Sequence, residues 1–550
     1  MNRRSSWGDS LEAGRVRTVG RGRLLAVAFL ALIGVVACSS GSSTPPSSAS
    51  AGGGTLTVRL LGDWITMDPS APVGQPQGGS ISLVINMAAY DRLVAPGPNG
   101  QILPYLAKSW TVSPSSQQVT FNLQSGLVCA DGTPLTATAI ANSFERLFKS
   151  PSIQFAMSGG PWTATPNDSA NQITFGFAQP NADALFGFAS PFASVVCPAG
   201  LANASQLSTT LVGSGAYTLT SAVHGSALNF ARNPRWKWGP GGLTTTDLPD
   251  TLIMKIIASN TTAANEILTG TLDGGQIVGT DVDRLIANPS LSNVSTSSPK
   301  LLPLVMNQTA GHATADPQVR RAIMAAIDPK AWAQAAFPGH ATTGTSLFAS
   351  TAPCYDPSTA QLVPKYDLEA AKQILRAAGY TQDNSGIFTK GGQPLTVTVL
   401  GTQGFFGQGT AYTAAQLTTL GMKVITADVT NSAFGAAYVS GKWDVSVANT
   451  SAPNPAPSTF MSIVSGPLPP QGTNYAHIVD PQLDADVKTA LTAVGAARCP
   501  AWAKVQQTGL KNFDWLPLAS PVYYFFGQKK VTVSMFSTSY FEGETVRRLA

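Results

Sequence analysis

The stretch Asp131-Gly132-Thr133-Pro134-Leu135-Thr136 runs directly into Ala137-Thr138-Ala139-Ile140-Ala141-Asn142-Ser143-Phe144-Glu145-Arg146-Leu147. Its first part is turn chemistry: glycine accepts positive φ, and proline fixes the backbone of the next turn. Its second part is a helix. Thr136 stands where a side-chain oxygen can cap free N–H groups, and Ile140, Phe144 and Leu147 share one face. Apolar and polar residues alternate in strand period on both sides, at Val119, Phe121 and Leu123 before it and at Ile173, Phe175 and Phe177 after it.

The same vocabulary extends outward. Leu56, Val58 and Leu60 alternate with Thr57 and Arg59, and Leu252 to Ile257 and Leu395 to Leu400 read as further strands. Asp316-Pro317 is a cap followed by proline at the first helical position, with Val319, Ile323 and Ile327 on one face. Asp328-Pro329 stops that helix and can cap the next. Asp367 can cap a helix bearing Ala371, Ile374, Leu375 and Ala378, closed by Gly379. Strands and helices mix without a strict βαβ rhythm, which predicts an α/β or α+β protein. The chain shows no internal repeat.

The N-terminus reads as an export signal. Arg3, Arg4, Arg15, Arg17, Arg21 and Arg23 precede an apolar run of 13 residues, Leu24 to Val36. A transmembrane helix needs about 20 such residues, whereas a signal core needs fewer. The run ends in Val35-Val36-Ala37-Cys38, which resembles a bacterial lipobox and implies diacylglycerol on Cys38. Residues 39–54 hold seven Ser, four Gly and Pro45-Pro46. Such a segment cannot bury enough apolar area to offset its chain entropy, so it is expected to be a tether. The expected organisation is a signal over 1–37 and a lipidated tether over 38–54. That arrangement anchors the body to the outer face of the cell membrane.

The formal charge is +5, of which the first 37 residues contribute six Arg against Asp9 and Glu12. The rest is therefore about +1, and no basic body argues for nucleic acid. Four cysteines follow Cys38: Cys129, Cys197, Cys354 and Cys499. An even number in an oxidising compartment implies two disulfides, with three pairings open. There is no CxxC to indicate zinc or thiol redox chemistry. Catalytic signatures GxSxG, HExxH and GxxxxGK[ST] are missing. His224, His312, His340 and His477 are scattered, Ser297 to Lys300 is an isolated SxxK containing Pro299, and Asp484 and Asp486 read as a solvated helix face. The expectation is a binder and not an enzyme, with no cofactor and no metal.

Beyond the Asp131–Leu147 stretch, the body carries Gly53-Gly54-Thr55-Leu56-Thr57-Val58, Met67-Asp68-Pro69, Tyr90-Asp91-Arg92-Leu93-Val94 and Leu103-Pro104-Tyr105-Leu106-Ala107-Lys108-Ser109-Trp110. Later come Gly213-Ser214-Gly215-Ala216-Tyr217, Arg232-Asn233-Pro234, Val319-Arg320-Arg321-Ala322-Ile323 and Tyr366-Asp367 through Ala378-Gly379-Tyr380. This ordered set resembles the extracellular solute-binding protein family 5, the peptide-, nickel- and opine-binding lipoproteins of ABC importers. The resemblance implies a two-lobed periplasmic-binding-protein-like α/β fold (type II, cluster C) with an additional domain and a central ligand cleft. Lobe one is expected at 55–90, 205–304 and 523–550, the additional domain at 91–204 and lobe two at 305–522. Crossings near Leu304-Val305 and Pro521-Val522 would form the hinge. Pairs Cys129–Cys197 and Cys354–Cys499 would each stay within one such body.

The implied function is delivery of a small solute, an oligopeptide or dipeptide first, to ABC permease subunits by a monomer that touches the membrane only through its lipid. Candidate ligand contacts by position are Val73, Gly74 and Gln75 after the Asp68-Pro69 turn and Asn307 past the first crossing. Gln403 and Phe405, with Phe406, lie in a Gly-rich loop, and Trp443, Thr450, Ser451, Ala452 and Asn454 lie around the strand containing Val445 and Val447. Tyr475 is the last. Family peptide binders hold the ligand amine with an aspartate ahead of a Pro-Ser/Thr-Phe-like stretch. Here that stretch is Pro457-Ser458-Thr459-Phe460, residues 449–456 contain no acid, and Pro453 stands at about the expected position. A buried ammonium without a counter-charge is costly. Either another acid reaches in, or the ligand is blocked, longer, differently oriented or not a peptide. A metal chelate, haem, opine or sugar is the rival ligand within the family. Outside it, the alternatives are an exported serine hydrolase and a surface adhesion or signalling protein.

Overall fold

In the computed structural model, Gly132 adopts φ +93° and Thr133 N–H donates to Asp131 Oδ1 at 2.8 Å. Thr136 Oγ1 then accepts from Ala139 N–H at 3.2 Å, and the helix Ala137–Leu147 buries Ile140, Phe144 and Leu147. The described residues are 52–71, 80–97, 100–150, 153–154, 157, 162–298, 301–402, 406, 408–448, 455–535 and 540–549. The helix covers a four-stranded antiparallel sheet in the order Ala107–Val112, Gln118–Leu123, Gln172–Phe177, Trp162–Asn167. Phe144 meets Phe175 and Phe188 edge-on at 4.9 and 5.6 Å, the geometry that ring quadrupoles favour. Cys129–Cys197 closes this additional domain.

The second layer of organisation is a 12-stranded mixed sheet. Its spine is the 14-residue strand Trp515–Gln528. The first half of that strand pairs with Leu302–Met306, which continues through Val445–Val447 and Thr396–Thr402 to Lys423–Val429. The second half pairs with Leu291–Ser297 and Gly274–Ile277, which lead to Thr55–Leu60, Thr251–Ile256, Ala227–Arg232 and Tyr217–Val223. One strand therefore belongs to two lobes. The apolar core divides at the same place. One cluster runs from Leu56 to Val278 and resumes at Tyr523 to Val546, while another runs from Leu302 to Ala519 and contains the partners that flank Cys354–Cys499.

Proline loosens the ladder at the division. Pro303 faces Pro517 across a bulge at Leu302/Pro303, and neither can donate a backbone hydrogen bond. Ser298 N–H donates to Pro521 O at 3.0 Å, and Val522 N–H to His340 O at 2.9 Å. The first core ends and the second begins between Ser298 and Leu302, upstream of the expected crossing at Leu304-Val305, which is fully buried in the second lobe.

Helix caps act as the sequence implies: Asp316, Asp328 and Asp367 accept from Gln318, Lys330 and Ala370 N–H. Gly213 and Gly215 stand just before the strand Tyr217–Val223. Neither has positive φ. A Cβ on Gly213 would lie 2.1 Å from Ala89 O, and one on Gly215 2.5 Å from Ala89 C. These glycines are there to let two backbones touch. Between them Ser214 Oγ donates to the buried Asp91 at 2.7 Å, which also accepts from Trp236 and Trp238 Nε1.

Candidate functional site at the seam between the lobes

The seam is built from side chains that the fold delivers from distant parts of the chain. After the strand Gln172–Phe177, Asn181 Oδ1 accepts from Asp183 N–H and turns the chain into the short helix Ala184–Ala189. Asp183 holds the cap position of that helix, yet its carboxylate makes no capping bond. It crosses the seam instead. One oxygen pairs with the Arg498 guanidinium and the other accepts from Ser458 N–H at 3.3 Å. Asp183 is only 4 % exposed.

Both partners sit at the start of helices in the second lobe. Ser458 follows Pro457, the first residue of the helix Pro457–Val464. Proline there removes one unsatisfied N–H and leaves the next free for an outside acceptor. The Ser458 hydroxyl is buried and has no partner among the described residues. Arg498 opens the helix Arg498–Lys511, and its Nη1 lies 3.3 Å from Cys354 Sγ, so the Cys354–Cys499 bridge packs beside the guanidinium.

A second contact lies next to the through-going strand. His340 Nε2 is 2.9 Å from Asp283 Oδ1, and its Nδ1 is 3.2 Å from Tyr524 OH. On the first lobe, burial opposes ionisation of Asp68, but hydrogen bonds from Arg146 and Ser70 outweigh it and hold its carboxyl below the usual range. That ion pair, at 2.6 Å, fixes the turn leading toward residues 72–79.

The expected contacts divide into three groups. Cys38, Val73, Gly74, Gln75, Gln403, Phe405, Thr450, Ser451, Ala452, Pro453 and Asn454 lie outside the described residues. Asn307 and Trp443 are described, and they stand away from the seam. Leu302–Met306 leaves the division and runs into the second lobe, so five residues at about 3.3 Å each put Asn307 roughly 17 Å along it. There its Nδ2 donates to Gly441 O and Trp443 O at 2.8 and 3.0 Å, and its Oδ1 accepts from Thr309 N–H. Trp443 stacks on Tyr438 at 5.1 Å and donates to Tyr438 O. Both side chains are bonded to neighbours within the second lobe. Phe406 likewise is core, against Trp332 at 6.3 Å. Tyr475 is half-buried against the second-lobe core, and burial raises its phenol to about 12.

Asp183, Ser458 and Arg498 were not candidates in the sequence. Among the described residues no cluster of three His, Cys, Asp or Glu could hold a metal ion. None of the described helices is long and apolar enough to cross a membrane.

Comparison with known proteins agrees with this architecture. The pattern of bacterial extracellular solute-binding proteins, family 5 (middle region), matches residues 101–470. The Escherichia coli (strain K12) protein named "Probable D,D-dipeptide-binding periplasmic protein DdpA" is 29% identical over 198 residues, which are 33% of this chain and 36% of that relative. The alignment thus spans about a third of the relative's length. A substrate-binding protein from Microbacterium hydrocarbonoxydans, solved with 4-hydroxybenzoate hydrazide, superposes with TM-score 0.75 at 23% identity, covering 90% of this chain and 99% of the other. A dipeptide-binding protein from Pseudoalteromonas sp. SM9913, solved with Met-Leu, gives TM-score 0.76 at 18% identity, covering 90% and 100%. At these identities the two structures establish the two-lobed fold.

Proposed function

The chain belongs to the bacterial extracellular solute-binding proteins of family 5, and on that premise we propose that it captures a small solute between its lobes and hands it to the permease of an ABC importer. The observation that carries the reading is a single strand, Trp515–Gln528, shared by two separately packed cores, with paired prolines at the division and polar side chains meeting across the seam. Such a joint supports opening and closing as a two-state motion, biased by a ligand that touches both lobes. No covalent step is required. Export and a diacylglycerol on Cys38, followed by the 39–54 tether, would hold the protein at the outer face of the membrane.

A peptide is the first ligand to test, since relatives named for dipeptides share the fold and part of the sequence. A non-peptide solute is the second reading, favoured by the absence of any acid in residues 449–456. Native mass spectrometry of the purified protein, then denaturation and identification of what is released, decides between them. Released peptides support the first reading, and a chelate, haem, opine or sugar supports the second. A protein that neither retains nor binds any solute overturns both.

A further inference from the structure

We propose that Arg498 and the first turn of the Pro457–Val464 helix form a carboxylate-binding subsite on the second lobe, held in this structure by Asp183 of the additional domain and open to the carboxylate of an acidic solute when the two sides of the seam part. The inference rests on the solute-binding reading above and names the ligand chemistry for it.

In this contact the donors, Arg498 and Ser458 N–H, lie on one side of the seam and the acid, Asp183, on the other. The Pro457–Val464 helix turns the Ser458 N–H and the positive end of its dipole toward Asp183. The Ser458 hydroxyl belongs to the same first turn. That residue is 6 % exposed, and its hydroxyl oxygen has no partner among the described residues. A buried hydroxyl left over beside a bound carboxylate is a donor that a differently shaped carboxylate could use. Arg498 adds a full positive charge, 17 % exposed and packed against the Cys354–Cys499 bridge.

Asp183 demonstrates the fit, since its two oxygens take one donor each from Arg498 and Ser458. When the two sides of the seam separate, that acid leaves with the additional domain. The second lobe is left with a guanidinium and a helix N-terminus. Residues 449–456, which lead into the helix, supply no acid to neutralise them. A solute ammonium is repelled there and a solute carboxylate is attracted, because a guanidinium and oriented N–H groups match a carboxylate's two oxygens.

The test is chemical rescue. Purified wild-type protein, D183A and D183A/R498Q are melted in sodium acetate and in sodium chloride of equal ionic strength. D183A is expected to melt below wild type in chloride. Acetate should restore about half or more of that loss with saturable dependence, and should leave D183A/R498Q where it was. Acetate without effect on D183A, or with equal effect on both variants, overturns the subsite. If D183A does not fold in chloride, the yield refolded in acetate is the same test, and a yield no better than in chloride overturns it. Acetate replaces a side chain and needs no native solute. A protein that rescues but binds no solute therefore refutes only the transport reading, and one that binds a solute without rescue refutes only the subsite.

Discussion

Gly213→Ala isolates the close approach that organises the middle of the first lobe. The added Cβ would stand 2.1 Å from Ala89 O and 2.6 Å from Tyr90 Cδ1. Ordinary contact is about 3.5 Å, so the backbones must separate by about 1 Å. The segment that moves carries Gly215 N–H to Ala89 O at 3.0 Å and Ala130 N–H to Gly213 O at 3.1 Å. It also carries the Ser214 hydroxyl that donates to wholly buried Asp91. Overpacking costs about 1–3 kcal/mol, and weakening two buried hydrogen bonds adds about 1–3 kcal/mol. The total, about 2–6 kcal/mol, is a large part of the roughly 5–15 kcal/mol that holds a domain folded. Gly225→Ala is the control, since Gly225 has φ +71° and no atom within 4 Å of the place its Cβ would take. That change should cost only the strain of a left-handed alanine, about 1–2 kcal/mol. Urea denaturation followed by tryptophan fluorescence compares them, with Trp236 and Trp238 as nearby reporters. If Gly213→Ala is no more destabilising than Gly225→Ala, close approach is not why glycine stands at 213.

Burial pushes the Glu544 carboxyl up to about 8, against the pull of Arg92. A raised folded-state value means its contribution is complete below the unfolded carboxylate value of about 4.3 and is lost as pH rises through about 8. Wild type should therefore lose stability from pH 6 to 9 more steeply than Glu544→Gln, measured by urea midpoints, and parallel slopes would refute this. The Cys354–Cys499 bridge closes a separation of 145 residues. Loop entropy assigns it about 5 kcal/mol, so the double alanine variant should lower a calorimetric transition of the second lobe while the first lobe's transition stays. Asn307→Ala should lose about 2–3 kcal/mol of stability by stripping two carbonyls and Thr309 N–H of their partner. It should leave the affinity for the solute identified by mass spectrometry unchanged in calorimetric titration, and a tenfold fall would return Asn307 to the ligand site.

Features decided within a few residues were legible. Thr136, Asp316, Asp328 and Asp367 each accept from an N–H two or three residues on, so type and spacing suffice to place a cap. The strands at Thr55–Leu60, Gln118–Leu123, Gln172–Phe177, Thr251–Ile256 and Thr396–Thr402 follow their alternation. The cysteines alone left three pairings. The Cys129–Cys197 and Cys354–Cys499 bridges of the structure are those that a division into lobes favours. Leu302–Met306 is buried along its whole length, so its residue types do not tell which end of the strand meets the seam. Asn307, expected just past the crossing, lies one residue beyond this strand, with its side chain bonded to Gly441 O and Trp443 O inside the second lobe.

Asp183 shows why the seam itself was hidden and where its trace lay. An aspartate immediately before a helix is the ordinary signature of a cap, and it contains no hint of an arginine 315 positions later. The local rule is broken in the fold: the carboxylate leaves the helix uncapped and spends both oxygens on the other lobe. Ser458 breaks a rule on the opposite side, with a buried hydroxyl that bonds nothing among the described residues. Local preference and global structure agree through most of a natural chain, and departures concentrate where function requires them. Two such departures facing each other, one short of a cap and the other short of a partner, mark this junction as something other than passive packing. The same contacts explain how a chain without an acid in residues 449–456 can still have a polar seam. Its second lobe supplies cations and N–H donors, and the complementary carboxylate arrives from outside that lobe.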